Sequence, residues 1–198
     1  MHSAEWREAF LATWRHPCLP AYYPSLAEPP VLCIDPARRA GWLAGWLDAV
    51  YSNETLITKV APIPLSRAFA PATGWMYTSS STKPSLILRM VEALDVHDGH
   101  RVLEIGTGSG YHCALLSERL GSENVTSVDI DAELVDLARE RLDANGHKPR
   151  LAAADGAQGC PAGAPYQRII ATCAVRSIPA AWLRQAEPGT VILTDVHG

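Results

Sequence analysis

The spacing of apolar residues in the second half of the chain alternates between the period of strands and that of helices. Short apolar runs, typical of buried strands, lie at residues 102–105, 125–129, 150–153, 168–172 and 190–194. Between them, apolar residues repeat at helical spacing over residues 111–120, 132–145 and 178–186. Strands that alternate with helices in this way predict an α/β fold with a doubly wound, mostly parallel sheet.

The first half of the chain is less regular. Residues 4–14 have helical spacing, whereas prolines between residues 17 and 30 exclude regular structure up to about Val31. Asp35 followed by Pro36 is a typical helix start, and the apolar stripe after it includes Trp42, Leu43, Trp46, Leu47 and Val50. Residues 56–60 predict a short strand. Core packing is the expected role of the tryptophan-rich stripe, with a peptide-binding surface as the alternative.

A run of hydroxyl residues, TSSSTKP at residues 78–84, directly precedes a segment with helical spacing from Leu86 to Leu94. We therefore place this run at the N-terminus of a helix. An ordinary capping segment is one interpretation. Its closeness to the glycine-rich segment that follows makes it a candidate ligand-binding loop as well.

That glycine-rich segment, RVLEIGTGSGY at residues 101–111, joins a predicted strand to a predicted helix. Glycine lets the backbone approach a ligand, and the first helical turn offers unpaired N–H groups. Asp129 ends the next strand, about twenty residues on, where an acid can bind two ribose hydroxyls. The spacing of Gly106, Gly108 and Gly110 is G-x-G-x-G, so a dinucleotide oxidoreductase, which uses G-x-G-x-x-G, is disfavoured.

Composition narrows the classes of function further. The chain has 198 residues, a net charge of −4 and a pI near 5.9, which disfavours a nucleic-acid partner. Its five cysteines are scattered without a C-x-x-C pair, so we expect reduced, mostly buried thiols and no metal site. The polar N-terminus and the lack of an apolar stretch of about 18 residues predict neither a signal peptide nor a membrane span. We therefore expect a cytoplasmic protein.

The glycine-rich segment, with an acid before the first glycine, resembles motif I of the class I S-adenosylmethionine (SAM) methyltransferases. Together with TSSSTKP and with ADG followed by PYQRIIATCAVRSIPAAWLRQ, it resembles the protein-L-isoaspartate O-methyltransferase family over about residues 78–195. Residues 1–77 are similar to the branch that matures ribosomally made peptides such as lanthipeptides, lasso peptides and ATP-grasp-ligated peptides. The resemblance implies a Rossmann-like SAM-binding domain at residues 78–198, preceded at residues 1–77 by a helical, proline-rich segment that binds or caps the substrate.

The resemblance also bears on the edge of the sheet. The fold normally continues past its fifth strand into an antiparallel hairpin, whereas this sequence ends four residues after Thr194. We expect either a shortened chain or a sheet edge covered by the N-terminal segment or by a partner, for example in a homodimer.

The cofactor residues follow from the same resemblance, with SAM as cofactor and S-adenosyl-L-homocysteine as product. Glu104 is expected to orient either the amino end of the cofactor or the loop itself, and Asp129 to take the ribose hydroxyls. Ile130 is expected to pack on the adenine, with Asp155 and Gly156 along its edge. The glycines of motif I, which contact the methionine part, and their neighbours complete the set: Gly106, Thr107, Gly108, Ser109, Gly110 and Tyr111.

For the acceptor, the resemblance implies Ser81 and Thr82 as catalytic residues, Thr82 occupying the family's serine position. The expected substrate contacts are Ser80, Lys83, Cys173, Ala174 and Val175. Lys83 departs from the family pattern and is either solvated or in contact with an acidic peptide. His112 stands where glutamine or asparagine is more usual, and we interpret it as structural.

The implied reaction is methyl transfer from SAM to the side-chain carboxylate of an aspartyl or isoaspartyl residue in a peptide or protein. A carboxyl with a pKa of about 4 is already ionised at neutral pH, so orientation in a partly dry site matters more than a general base. The methyl ester can then close to a succinimide or aspartimide.

Two alternatives remain open. One is a SAM-dependent methyltransferase of a small molecule or an amino group. It is disfavoured because residues 172–175 read TCAV, where amino-group enzymes typically have [DN]-P-P-[FYW]. The other is a non-catalytic SAM-binding partner of a peptide-modifying complex.

Overall fold

The computed structural model describes residues 3–25, 31–32, 42–62 and 75–197. Within these ranges the helices are α1 Ala4–Ala12, α2 Trp42–Val50, α3 Pro84–Ala93, α4 Tyr111–Leu120, α5 Ala132–Ala144 and α6 Ala180–Gln185. The strands are β1 Ala21–Tyr22, β2 Val31–Leu32, β3 Leu56–Pro62, β4 Trp75–Ser81, β5 Val102–Ile105, β6 Val125–Asp129, β7 Arg150–Ala153, β8 Tyr166–Val175 and β9 Ala186–Val196. The predicted helix start at Asp35-Pro36 lies outside the described residues, as does Cys33.

The central sheet has the strand order β7-β6-β5-β8-β9, and every neighbouring pair in it is parallel. The predicted doubly wound parallel sheet is therefore confirmed. Because the order reverses direction between β5 and β8, the carboxyl ends of these two strands form the switch point where open α/β sheets bind ligands.

Alternate residues of the central strands supply two hydrophobic clusters on opposite faces of the sheet. Val102 packs in the cluster that includes residues of α1, α3, α4 and α5. Leu103 and Ile105 pack in the other cluster, which includes Trp182 of α6. This alternation follows from the period of two along a strand. It also turns Glu104 toward the same face as Val102, where α4 packs.

The N-terminal region contributes to the same fold. Trp6 of α1 is buried in the first cluster, and Trp46 of α2 is buried in a smaller one with Leu19 and Val50. Core packing is thus confirmed for Trp6 and Trp46, whereas Leu43 of the predicted stripe is exposed. In the described part of the chain, no helix is both long and apolar enough to cross a lipid bilayer.

The predicted position of the hydroxyl run at a helix N-terminus is correct only for the end of the run, where Lys83 is the N-cap of α3 and Pro84 its first residue. Residues 78–81 lie in β4, which pairs antiparallel with β3. Ser80 lies opposite Ile57 and Ser81 opposite Leu56, so this part of the run is extended and does not cap α3. The predicted boundary between residues 77 and 78 falls inside β4.

The boundaries near the end of the sequence also differ from those predicted. α6 spans Ala180–Gln185 instead of residues 178–186, because Pro179 with extended backbone is its N-cap. β8 and β9 are longer than the predicted strands at 168–172 and 190–194, and their pairing continues to Val175 opposite Val196. This extension carries β8 past the switch point and beside the site described below.

Candidate functional site

A cavity of about 550 Å³ lies at the carboxyl ends of β5, β6 and β8. This size is in the range of small-molecule sites, and the position is the switch point of the sheet. β4 covers one side of it. The lining residues are Tyr77, Thr78, Ser79, Ser80, Ile105, Gly106, Gly108, Val128, Asp129, Ile130, Asp155, Gly156, Ala157, Thr172, Cys173, Val175 and Trp182.

The glycine loop follows β5 and presses against β8. Gly106 has φ +99°, and an added Cβ would lie 2.6 Å from Oγ1 of Thr172. The Thr172 hydroxyl donates a hydrogen bond to the Gly106 carbonyl over 2.9 Å. A side chain at Gly106 would therefore require both a strained backbone and displacement of the Thr172 side chain.

Asp129 fixes this loop to the end of β6. Its Oδ2 accepts a hydrogen bond from the Gly108 N–H over 2.9 Å, and its Oδ1 accepts from the Asp131 N–H over 3.0 Å. The carboxylate lines the cavity, as the sequence predicts for a group that binds ribose hydroxyls. Ile130 beside it is 80% exposed and also lines the cavity, so an apolar side chain is presented there without a packing role in the core.

The opposite wall of the cavity contains Asp155, Gly156 and Trp182. Asp155 caps a short turn by accepting from the Ala157 N–H over 2.9 Å. Trp182, which sequence analysis did not single out, donates its indole N–H to the Gly156 carbonyl over 2.7 Å and is fully buried. The feature of the sequence that could have indicated this residue is the position of a tryptophan at the centre of the last predicted helix.

The structure corrects the expectation for Glu104, which lines neither this cavity nor the smaller one described below. Its carboxylate is 0% exposed and lies 2.5 Å from Nδ1 of His112. It also accepts a hydrogen bond from the Ser127 hydroxyl over 2.5 Å. An acid so enclosed cannot reach the amino end of a ligand in the large cavity, so of its two predicted roles only the ordering of the loop fits the structure.

A second cavity of about 30 Å³ lies beside the first. Its lining includes the predicted acceptor residues Ser81 and Thr82, which do not line the large cavity. The two cavities share Ser80, Gly106, Gly108 and Thr172, so they meet along the glycine loop. The other residues that line the small cavity are Ile87, Met90, Thr107, Ser109, Tyr111 and His112.

This arrangement divides the predicted cofactor residues of motif I. Of the two cavities, only the small one is lined by Thr107, Ser109 and Tyr111. Their side chains, just before and at the start of α4, are buried in the protein. Gly110 lines neither. With φ +86°, it would place an added Cβ 3.3 Å from the Cβ of Ala138, so its role is to let α4 approach α5.

A family model described as protein-L-isoaspartate(D-aspartate) O-methyltransferase (PCMT) matches residues 68–197, which are the larger part of the chain. The chain belongs to this family. The matched residues include β4, the glycine loop and the parts of the central sheet that line the two cavities. The fold accordingly is the α/β methyltransferase fold.

Individual relatives agree with this membership. A protein-L-isoaspartate O-methyltransferase of Ignicoccus hospitalis is 41% identical over 116 residues, which are 58% of this chain and 55% of that protein. One from Methanopyrus kandleri is 34% identical over 139 residues, 69% of this chain and 57% of that protein. The chain thus spans about half the length of the curated relatives it matches.

Two solved structures are also similar. One protein-L-isoaspartate O-methyltransferase structure has a TM-score of 0.73 and 26% identity, covering 98% of this chain and 51% of its own. A structure from Plasmodium falciparum in complex with S-adenosyl-L-homocysteine has a TM-score of 0.62 at 12% identity, covering 100% of this chain and 78% of its own. At that identity the second likeness shows the fold alone.

In this member of the family, Arg15 holds the segment that carries Ser81 and Thr82. Its guanidinium is buried and donates to the carbonyls of Ser81 over 3.1 Å and Thr82 over 3.3 Å, and to the Ser81 hydroxyl over 3.3 Å. The same group donates to the carbonyls of Val50, Ser52 and Glu54 after α2. Because its hydroxyl already accepts from Arg15, Ser81 is better described as part of the framework than as a catalytic group.

The remaining predicted substrate residues separate in space. Cys173 and Val175 line the large cavity. Cys173 is exposed, whereas the other three described cysteines are buried, as expected for mostly buried thiols. Ala174 is exposed but lines neither cavity. Lys83 also lines neither, because it is the N-cap of α3 and its N–H donates to Oγ1 of Thr55 over 3.1 Å.

β3 and β4 form a hairpin beside the large cavity. An ion-pair cluster connects this hairpin to α5. Lys59 of β3 lies 2.6 Å from Oδ2 of Asp131 and 2.6 Å from Oε2 of Glu133. The hydrogen bond from Lys59 lowers the pKa of Asp131 below its ordinary 3.8. Since Asp131 follows Asp129 by two residues, the cluster connects the hairpin to the wall of the large cavity that contains Asp129.

Replacing Lys59 with methionine should loosen the hairpin. We expect backbone amides of β3 and β4 to exchange about two- to fivefold faster at neutral pH, as a partly exposed ion pair contributes about 0.5–1 kcal/mol. Because the pKa of Asp131 is lowered by folding, the difference should be present above pH 3.8 and disappear as the pH falls through the folded value. Hydrogen exchange by mass spectrometry measures this, with Lys148→Met as the control. Equal exchange in both variants at neutral pH would contradict it.

Proposed function

We propose that this protein is a SAM-dependent O-methyltransferase that esterifies a side-chain carboxylate of an aspartyl or isoaspartyl residue in a peptide or protein. The observation that carries the proposal is the junction of the two cavities. A cavity of cofactor size and a hydroxyl-lined cavity meet at Gly106 and Gly108. A methyl donor on one side of the glycine loop and an acceptor on the other would therefore meet at the loop.

The residues of the large cavity fit SAM. The volume of about 550 Å³ accommodates an adenosine and a methionine end. Asp129 presents carboxylate oxygens to a ribose, Ile130 presents an exposed apolar side chain to an adenine, and the backbone at Gly106 has no Cβ to separate it from the methionine part. Bound SAM supplies a methyl group on a sulfonium, which is an electrophile that a carboxylate can attack directly.

The chain's own residues would orient the acceptor and limit water around it. An aspartyl carboxyl with a pKa of about 4 is ionised at neutral pH, so no base is needed to generate the nucleophile. Among the described residues that line the two cavities there is no lysine or arginine, so a bound carboxylate would not be neutralised by a full salt bridge. The hydroxyl of Thr82 and those of its neighbours can hold it by weaker neutral hydrogen bonds.

After the methyl transfer, the methyl ester can undergo a second reaction, which is ring closure. The nitrogen of the next backbone amide can attack the ester carbonyl; its N–H proton leaves with the methoxide as methanol, and a succinimide ring remains. We propose a role in peptide maturation, where this aspartimide is itself the product, on the resemblance of residues 1–77. Repair of isoaspartyl residues, in which the ring reopens, is the other role open to the family.

The test is incubation of the protein with SAM and matched peptides that contain aspartate, isoaspartate or asparagine. We expect a base-labile gain of one methyl group on an acid-containing peptide, followed by loss of methanol, and no gain on the asparagine peptide. Methylation at nitrogen that resists base would overturn the proposal. Binding of SAM without turnover on any acid-containing peptide would favour a non-catalytic partner.

A further inference from the structure

His112 has one ring nitrogen fixed and the other without a protein partner. The side chain is at the start of α4 and only 7% exposed. Its Nδ1 lies 2.5 Å from Oε1 of Glu104, whereas its buried Nε2 has no hydrogen-bond partner among the residues the structure describes. Leaving a buried polar nitrogen unpaired is costly, so such an atom points to a ligand.

Glu104 determines the orientation of this ring. Its second oxygen accepts from the Ser127 hydroxyl, which in turn lies 2.6 Å from the Thr107 hydroxyl. Nδ1 and Oε1 lie 2.5 Å apart, so one hydrogen lies between them. Nε2 is the ring nitrogen that remains for another partner, and His112 is among the residues that line the small cavity.

The small cavity has the size and lining of a carboxylate subsite. Its volume of about 30 Å³ holds about two water-sized groups, comparable to the two oxygens of a carboxylate. Thr82 belongs to its lining, and it opens toward the large cavity at Gly106 and Gly108. The Thr82 hydroxyl is a donor that suits an anionic oxygen ligand.

We propose that the small cavity binds a carboxylate and that the Nε2–H of His112, held in position by Glu104, donates a hydrogen bond to it. With one hydrogen between Nδ1 and Glu104 and one on Nε2, the His112–Glu104 pair carries no net charge, so an entering carboxylate meets a donor instead of a net negative charge. The inference rests on the proposed function, whose reaction offers two such groups: the carboxylate of the methionine part of SAM and the side-chain carboxylate of the acceptor.

Variants of His112 distinguish these two sources. In His112→Leu we expect at least tenfold weaker binding of the ligand whose carboxylate enters the cavity, since a hydrogen bond to a charged group is lost, and little change for the other. The affinity for S-adenosyl-L-homocysteine, by calorimetry, tests the cofactor. The KM for the isoaspartyl peptide tests the acceptor. His112→Gln keeps a donor and should recover part of the loss, and His97→Gln on the exposed loop before β5 is the control. A folded His112→Leu protein with both values unchanged would overturn the inference.

A measurement on the wild-type protein uses a variant only for assignment. The ring nitrogens of the seven histidines can be followed by ¹⁵N NMR, with His112→Gln assigning the resonance of interest. We expect the Nε2 resonance to shift either on addition of S-adenosyl-L-homocysteine or on later addition of the isoaspartyl peptide, but not with the asparagine peptide. An Nε2 resonance that neither ligand moves would overturn the inference.

The two arms also separate this inference from the proposed function. If the wild-type protein methylates the peptide while His112 responds to neither ligand, the function stands and the carboxylate subsite fails. If it binds S-adenosyl-L-homocysteine without methylating any acid-containing peptide, the proposed function fails, and the cofactor arm still decides whether His112 holds a carboxylate.

Discussion

Replacing Asp129 with alanine is expected to weaken the binding of S-adenosyl-L-homocysteine by at least about a hundredfold. In the proposed function, Asp129 is the acceptor for two ribose hydroxyls, and each such hydrogen bond to a charged group contributes about 1.5–3 kcal/mol. The change also leaves the N–H groups of Gly108 and Asp131 without their present acceptor, so the glycine loop loses its tie to β6. Isothermal titration calorimetry measures the affinity directly.

Two further variants make this expectation specific. Asp129→Asn keeps the shape, but its NH₂ group must face one of the two backbone donors, so we expect it to bind nearly as weakly as the alanine variant. Asp136→Asn on α5, where the carboxylate is exposed and pairs only with Arg139 among the described residues, should bind normally. An Asp129→Ala protein that melts like the wild type and retains its affinity would contradict the assignment of Asp129 to the ribose.

The glycine loop and Asp129 could be predicted because their signals are local or nearly so. β5, the loop and α4 are consecutive, and the change of period from strand to helix lies within residues 101–120. The position of Asp129 follows from the length of one helix and one connection. Parallel strands whose carboxyl ends meet at one edge then bring the loop and the acid together without further information.

Residues 78–81 of the hydroxyl run could not be placed correctly by the same reasoning. Their conformation depends on pairing with β3, which lies about twenty residues earlier and is joined to β4 through residues 63–74. Serine and threonine next to a proline and a helical repeat are typical of a helix cap, so the local pattern favoured the wrong element for these residues. Pairing of the backbone with β3 overrides such a preference, because it supplies partners for donors and acceptors along the ladder.

The contacts that His112 makes with Glu104 and Arg15 makes with the Ser81–Thr82 segment could not be predicted for a related reason. Nothing in the sequence around residue 112 indicates that the side chain of Glu104 in β5 will point to the face of the sheet on which the first turn of α4 packs. Arg15 is one of 17 Lys and Arg residues, most of which are expected on the surface. Its burial follows from two distant chain segments, residues 50–54 and 81–82, that present carbonyls to one point, and a sequence pattern does not carry that information.

Replacing Arg15 with methionine is expected to lower the free energy of unfolding by about 3–5 kcal/mol, because several buried carbonyls lose their donor at once. Methionine fills much of the volume but leaves the carbonyls of Val50, Ser81 and Thr82 without their donor. The guanidinium also lies 6.0 Å from the centre of the Tyr111 ring, so a cation–π contact is lost. Urea unfolding followed by tryptophan fluorescence measures the change.

The comparison of three variants shows whether the geometry of the guanidinium or only its charge matters. Arg15→Lys retains the charge but concentrates its donors at one point, so it cannot reach carbonyls on both sides, and we expect it to recover less than half of the loss. Arg139→Met, on the exposed face of α5, should change stability by less than about 1 kcal/mol. If Arg15→Met were no more destabilising than Arg139→Met, the carbonyls around Arg15 would have to be satisfied in another way. In that case the segment that carries Thr82 would not depend on the N-terminal region for its position.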